Sequence, residues 1–236
     1  MFSTAILLAA GSGQRMAGHV NDKVLTPING QPALVYSLQA FADSKAVDQF
    51  VIVYRDEAQK AAIKSIIATY GLSHLSIQNV QGGAERQLSV LHALNLIDEA
   101  CEYVFIHDAA RPLVSVASIQ ALDKAVRRDG AAVLAHPVTD TIKRIPKANQ
   151  LQSAQLEDLD RSRLWAMETP QAFSCPKIRE AYQHAHTNNL KVTDDTAAAA
   201  SIGLRTTLVP NELPNPKITT PTDLAYIEHI LKERRV

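Results

Sequence analysis

Thr4-Ala5-Ile6-Leu7-Leu8-Ala9-Ala10 runs directly into Gly11-Ser12-Gly13-Gln14-Arg15-Met16, with Lys23 close behind, and the reading of this junction decides the fold. The apolar run has the character of a strand buried on both faces. It breaks at two glycines and a serine, where backbone N–H groups can turn toward an anion. Arg15 and Lys23, eight positions apart, add full charges to those partial ones, a combination suited to a polyphosphate. Two better-known loops are excluded. A P-loop needs a Gly-Lys pair, and the sequence contains none. The dinucleotide fingerprint needs a third glycine for close helix–strand packing, and Met16 stands there. Gly18, Asn21 and Pro27 make residues 17–30 irregular, a long loop of the kind that usually carries function. Taken alone, the segment fits an ordinary glycine turn with two solvated cations equally well.

Outward from this junction, short apolar runs alternate with helical stretches. Strands are expected at Thr4–Ala10, Gln49–Tyr54, Leu75–Val80, Tyr103–His107 and Ala131–His136. Helices are expected over about 31–43, 57–70, 84–99 and 115–129, with Leu88, Leu91 and Leu94 marking an apolar stripe on the third. Repeated β-α-β order predicts an α/β fold, a single Rossmann-like domain over 1–236 with a mainly parallel sheet flanked by helices. Ligands of such sheets gather at the carboxyl ends of the strands, where Gly11–Gly13, Gly82-Gly83 and Asp108 all fall. Residues 137–165 break the pattern, but Thr141-Ile142-Lys143-Arg144-Ile145 alternates as a strand does. A protruding β-arm at about 138–164 is therefore expected. Helices resume near 176–187 and 194–202, with a strand near 205–209 and a closing helix near 221–234.

Composition limits the partners. The 24 basic and 24 acidic side chains balance, so bulk charge gives no reason to expect nucleic acid or an anionic membrane. The first strand begins within a few residues of Met1, and no apolar run has the length of a bilayer span, so a cytoplasmic protein is expected. Cys101 and Cys175 lack metal-like spacing and read as reduced thiols.

Two further clusters carry chemistry. In Val104-Phe105-Ile106-His107-Asp108-Ala109-Ala110-Arg111-Pro112, Asp108 follows a buried strand with small residues beside it. That leaves room for Mg²⁺, which favours one or two carboxylates plus phosphate oxygens and water. The plainer reading is an Asp108–Arg111 pair capping the next helix, and His107 reads as structural. In Gly82-Gly83-Ala84-Glu85-Arg86-Gln87-Leu88-Ser89, two glycines let backbone groups approach a base edge, with Ser89 one helical turn inside.

Together these blocks resemble the 2-C-methyl-D-erythritol 4-phosphate cytidylyltransferases, within the sugar-nucleotide pyrophosphorylase class. Further blocks extend the resemblance nearly end to end: Pro137-Val138-Thr139-Asp140-Thr141-Ile142-Lys143, Arg163-Leu164-Trp165, Thr169-Pro170-Gln171, Thr193-Asp194-Asp195 and Asn215-Pro216-Lys217-Ile218-Thr219. The resemblance implies CTP and a polyol phosphate as substrates, with Mg²⁺ as cofactor. It implies catalytic Arg15, Lys23 and Lys217 around the phosphates, and Asp108 at the metal. Ala10, Gly11, Gly13, Gly83, Ala84 and Ser89 are implied to hold the nucleotide. Thr141, Arg161, Thr169 and Arg111 are implied to hold the polyol phosphate, with the arm crossing to a partner subunit in a homodimer. A related cytidylyltransferase for ribitol 5-phosphate is the nearest alternative, and a non-catalytic nucleotide-binding protein is a more distant one. Ala110 and Arg161 favour methylerythritol phosphate. Two carboxylates stand where the family usually has uncharged residues. Asp22 precedes Lys23 and is expected to pair with it; Glu168 precedes Thr169 and is expected to point away from the phosphate site or to bind a cation.

Overall fold

A computed structural model describes residues 2–11, 22–149 and 151–233. Its core is a seven-stranded sheet built from β1 (Ser3–Leu8), β4 (Gln49–Tyr54), β5 (Ile77–Gln81), β6 (Tyr103–Asp108), β7 (Ala131–Pro137), β10 (Trp165–Ser174) and β11 (Thr207–Pro210). The spatial order is β11-β7-β10-β6-β1-β4-β5. β1 pairs in parallel with both β4 and β6, so the chain steps to one side of β1 and then returns to the other. The carboxyl ends of β1, β4, β5 and β6 therefore open on one crevice, the place where such sheets bind ligands. Two minor strands, β2 (Pro27–Ile28) and β3 (Gln31–Pro32), form a small ribbon.

The inner strands are apolar because they are covered on both faces, while the edge strands β5 and β11 are partly exposed and more polar. The residues of β4 are buried throughout, and Ile6, Val51 and Ile106 face one layer while Leu7, Ile52 and Phe105 face the other. The helices are α1 (Ala33–Ser44), α2 (Glu57–Thr69), α3 (Arg86–Leu96), α4 (Val116–Asp129), α5 (Cys175–Thr187), α6 (Asp195–Ser201) and α7 (Pro221–Glu233). Their starts follow from capping chemistry. Asp56 accepts from Gln59 N at 2.8 Å, Ser115 from Ser118 N at 3.0 Å and Asp194 from Ala197 N at 2.9 Å. Gly130, at φ 81°, ends α4 in the left-handed conformation that suits glycine. None of the described helices is long and apolar enough to cross a membrane.

The expected α/β sheet, its helices and its parallel strands are all present. The sequence reading missed β10, a ten-residue strand that enters between β6 and β7 antiparallel to both. Its register shifts between Met167 and Gln171, where Pro170 cannot donate to the ladder. Within the stretch where an arm is expected, β8 (Lys143–Arg144) pairs antiparallel with β9 (Glu157–Asp158), and both are exposed.

Candidate active site

The crevice holds a cavity of about 420 Å³ lined by Ala10, Gly11, Lys23, Arg55, Gly83, Ala84, Glu85, Arg86, Ser89, Asp108 and Lys217, among others. Eight residues expected from sequence are thus gathered: Ala10, Gly11, Lys23, Gly83, Ala84, Ser89, Asp108 and Lys217. Arg15 and Gly13 lie outside the described residues. Four cations against two carboxylates leave the wall net positive, as a polyphosphate requires.

One wall is made by close backbone approach. A Cβ on Gly82 would lie 2.7 Å from Ala10 Cβ and 2.9 Å from Ser89 Oγ, and one on Gly83 only 2.4 Å from Leu88 Cβ. Glycines there let the loop after β5 reach the end of β1. Ser89 Oγ accepts from Gly83 N at 3.1 Å and donates to Glu85 O at 3.2 Å, fixing that loop to the first turn of α3.

Asp108, at the end of β6, is the electrostatic centre. Lys217 Nζ lies 2.7 Å from its Oδ2, Arg86 Nε 3.5 Å from its Oδ1 and Arg111 Nε 4.0 Å from its Oδ2. Burial pushes the carboxyl up, but Lys217, Arg86 and Arg111 outweigh that and hold it well below the usual carboxylate range. An ionised carboxylate with one oxygen only loosely engaged fits Mg²⁺ bound through one protein ligand, phosphate oxygens and water. Among the described residues, no three His, Cys, Asp or Glu side chains gather into an all-protein cage. The expected Asp108–Arg111 pair is present at 4.0 Å, with Arg111 N also donating to Asp108 O at 2.9 Å, but it does not cap the next helix, whose N-cap is Ser115.

Arg86 is a site residue the sequence reading did not select. It forms a two-pronged pair with buried Asp195 at 2.8 and 2.7 Å, and Asp195 also accepts from Tyr182 Oη. Burial works against the guanidinium charge, yet Asp195 and then Asp108 raise its pKa. Asp195 lies 109 positions away from Arg86, so only the fold reveals the pair.

Lys23 lies beside Gly11, its Cε 3.9 Å from where a Gly11 Cβ would sit, and its Nζ donates to Ile218 O at 3.2 Å. Asp22, expected to pair with Lys23, accepts from Gln59 Nε2 at 2.6 Å, Arg55 Nη1 at 3.3 Å and Val24 N at 3.0 Å. Those contacts orient it toward α2 and cap the turn at Lys23 from below.

Glu168 points away from the phosphate cavity, the first of the two expectations. Only 3% exposed, it binds no cation inside the phosphate cavity. It accepts from His136 Nδ1 at 2.6 Å and from Asn211 and Asn215 Nδ2 at 2.8 Å each. Asn215 Nδ2 also donates to Thr169 O at 3.0 Å, and Arg111 Nη1 donates to Asn215 O at 2.8 Å. Ile218 N then donates to Ala110 O at 2.8 Å. Residues 211–218, which carry Lys217, are thus clamped to β10 and to the end of β6.

Of the expected polyol phosphate residues, Arg111 lines a second cavity of about 440 Å³ with His136, Thr139, Glu168, Asn215 and Tyr226. Thr169 is buried between β10 and β6, where its Oγ1 accepts from Asp108 N at 3.0 Å and meets His107 Nδ1 at 3.2 Å. Thr141 and Arg161 are exposed on the arm and line neither cavity; Arg161 Nη1 donates to Thr139 O. His107 is structural, as expected: burial pushes its pKa down to about 4, keeping the ring neutral against Ser37 and Thr169.

The sequence profile of the 2-C-methyl-D-erythritol 4-phosphate cytidylyltransferases matches residues 3–233. The chain is 37% identical to a protein of that name from Bacillus cytotoxicus, over 98% of this chain and 99% of that one. It is 38% identical to one from Dictyoglomus thermophilum, over 97% and 96%. A crystal structure of 4-diphosphocytidyl-2C-methyl-D-erythritol synthase from Anaerococcus prevotii superimposes with a TM-score of 0.84 at 28% identity, covering 98% of this chain and 96% of that one. A Thermus thermophilus 2-C-methyl-D-erythritol 4-phosphate cytidylyltransferase gives 0.79 at 27% identity, over 98% and 100%. With sequence and fold matching over nearly the whole length, the chain belongs to the 2-C-methyl-D-erythritol 4-phosphate cytidylyltransferase family.

Proposed function

We propose that the protein transfers CMP from CTP to 2-C-methyl-D-erythritol 4-phosphate, releasing pyrophosphate and forming the diphosphocytidyl alcohol. The observation that carries this reading is the Lys217–Asp108 pair at 2.7 Å, set in a net-positive cavity closed by the glycine wall. An oxygen of the polyol phosphate attacks the α-phosphorus in line; the new P–O bond forms as the bond to pyrophosphate breaks. No general base is needed, because the attacking phosphate is already ionised. Catalysis therefore rests on positioning and on cations aimed at the charge that develops. Lys217, held toward the centre by Asp108, meets the α-phosphate, with Lys23 and Arg15 from the loop after β1 on the triphosphate. Asp108 would hold Mg²⁺, which when bound neutralises phosphate charge. The close approach of Ala10, Gly83 and Ser89 supports a narrow slot for cytosine, with Ala84, Gly11 and Gly13 completing the nucleotide site.

The polyol phosphate is assigned to Arg111 and Thr169 of one subunit with Thr141 and Arg161 of a second. Support comes from the arm, which is exposed and keeps those two residues away from their own cavity. It also presents apolar Ile142, Leu151 and Leu156, the last two more than half exposed, as a surface for a partner copy. The 1–236 chain is thus read as one nucleotidyltransferase domain with a dimerisation arm, working in the cytoplasm. Pyrophosphate release from CTP with Mg²⁺ and the polyol phosphate tests the reaction. Arg161→Ala tests the shared site: KM for the polyol phosphate rises while KM for CTP stays, and an equal change in both removes Arg161 from it.

A further inference from the structure

At the end of the sheet away from the cavity, the chain's two cysteines meet. Cys101 lies just before β6, and Cys175 opens α5 directly after β10. Ser174 is opposite Tyr103 in the antiparallel ladder, and Cys175 N donates to Glu102 O at 2.8 Å on the next rung. Cys101 is the residue before Glu102, so that backbone bond brings the two cysteines to the same corner of the fold. Both side chains are buried, both line one small cavity, and each thiol is the largest single influence on the ionisation of the other.

The pair opens on a cavity of about 200 Å³ that it shares with Glu99, Pro176 and Arg179. Arg179 Nη2 is anchored to Ile97 O and Asp98 O, while its Nε–H is buried without a hydrogen-bond partner among the described residues. An orphan cationic donor beside two sulfurs is costly unless an incoming oxygen accepts from it. The two sulfurs are not equivalent. The neighbouring Cys175 thiol, then the Thr4 hydroxyl, outweighs burial and holds Cys101 below the usual thiol range. The nearness of Cys101, together with burial, pushes Cys175 up. As a thiol Cys101 donates to Tyr103 O at 3.2 Å and Thr4 Oγ1 at 3.4 Å; once it ionises, the Thr4 hydroxyl can turn its hydrogen to the sulfur.

We propose that Cys101 and Cys175 form a dithiol site oxidised by small hydroperoxides, with Cys101 attacking, Cys175 resolving and Arg179 Nε–H binding the peroxide oxygen. The Cys101 thiolate takes the distal oxygen of hydrogen peroxide, breaking the O–O bond, and hydroxide leaves and is protonated to water. The resulting sulfenic acid condenses with the Cys175 thiol, forming the S–S bond and releasing a second water. Two thiols and one peroxide thus give one disulfide and two waters, the two sulfurs supplying the electron pair. The bridge ties the start of β6 to the end of β10, about 20 Å by strand rise from Asp108. Closing a loop between residues 74 positions apart raises the thermal midpoint of the oxidised form.

The test exposes the full-length native protein to stoichiometric hydrogen peroxide and follows intact mass and thiol-containing peptides. The expected result is a loss of about 2 Da in a monomer-linked Cys101–Cys175 peptide, reversed by dithiothreitol and formed about tenfold faster than in the unfolded chain. In Cys175→Ser, Cys101 gains one oxygen and is trapped by dimedone. In Cys101→Ser, Cys175 stays reduced over the same time. Arg179→Lys slows the first step without changing the product. Native thiols that react no faster than unfolded ones, bridges between separate chains, or equal oxidation of Cys175 in Cys101→Ser would each overturn the assignment.

Discussion

Replacing Glu168 with leucine should disable the enzyme from a distance, by releasing the segment that carries Lys217. The side chain accepts three hydrogen bonds while nearly fully buried. Their loss is unequal. His136, with its side chain half exposed, turns to water at little cost. Asn215 Nδ2 keeps Thr169 O, but Asn211 Nδ2 loses its charged acceptor and Asn215 half of its bonding. Hydrogen bonds to a charged group contribute about 1.5–3 kcal/mol each, so a net loss of about 3 kcal/mol is expected after the lower desolvation cost of leucine. For a chain of this size that lowers the melting midpoint by roughly 6–12 °C. Glu168→Gln is the controlled comparison. Its carbonyl oxygen can serve Asn211 and Asn215 while its NH₂ donates to His136 Nδ1 in the other tautomer, so only about 1 kcal/mol is lost. Denaturant melts measure both numbers, and pyrophosphate release measures kcat and KM on the folded fraction. Leucine should lower kcat at least tenfold with KM for CTP nearly constant, and glutamine should restore most of it. A leucine variant as stable and active as the parent would refute the clamp.

Three other outcomes follow from the same geometry. Lys217→Ala should lower kcat by about 10²–10³, the usual loss of one transition-state donor; CTP affinity measured by titration should change only severalfold, and a larger change in affinity than in kcat would make Lys217 a binding residue instead. Gly82→Ala should cost at least tenfold in CTP affinity, about 1.4 kcal/mol, because its Cβ would meet Ala10 Cβ and Ser89 Oγ at 2.7 and 2.9 Å. Binding within twofold of the parent would place the base elsewhere. His107 makes acid stability pH-dependent: with a folded pKa of about 4 against the ordinary 6.5, the unfolded chain binds the extra proton. Stability is then intact above 6.5 and lost as pH falls toward 4, by about 3 kcal/mol in all. His107→Gln should flatten that window in urea melts taken at successive pH values, and an unchanged slope would contradict a buried neutral ring.

The parallel half of the sheet was legible because both-face burial leaves uninterrupted apolar runs, as in Phe50-Val51-Ile52-Val53 and Val104-Phe105-Ile106. β10 was not legible, since Glu168 and Pro170 interrupt it with a charge and a residue that cannot donate. Both are explained only by what lies beside them: the partners of Glu168 are 32, 43 and 47 positions away. The same limit hid Arg86, whose neighbours in sequence suggest a helix start while its carboxylate waits on α6. Asp108 and the glycine wall were legible because a strand end and a glycine pair mark them, whereas Lys217 followed only from the resemblance of its block to the family.

The most direct test of the proposed activity is pyrophosphate release by the purified protein with CTP and Mg²⁺ across a panel of polyol phosphates. The account predicts turnover with 2-C-methyl-D-erythritol 4-phosphate, with kcat/KM at least a hundredfold above that for ribitol 5-phosphate, about 2.7 kcal/mol of discrimination. Equal or better turnover of ribitol 5-phosphate, or no pyrophosphate with any member of the panel, would contradict it.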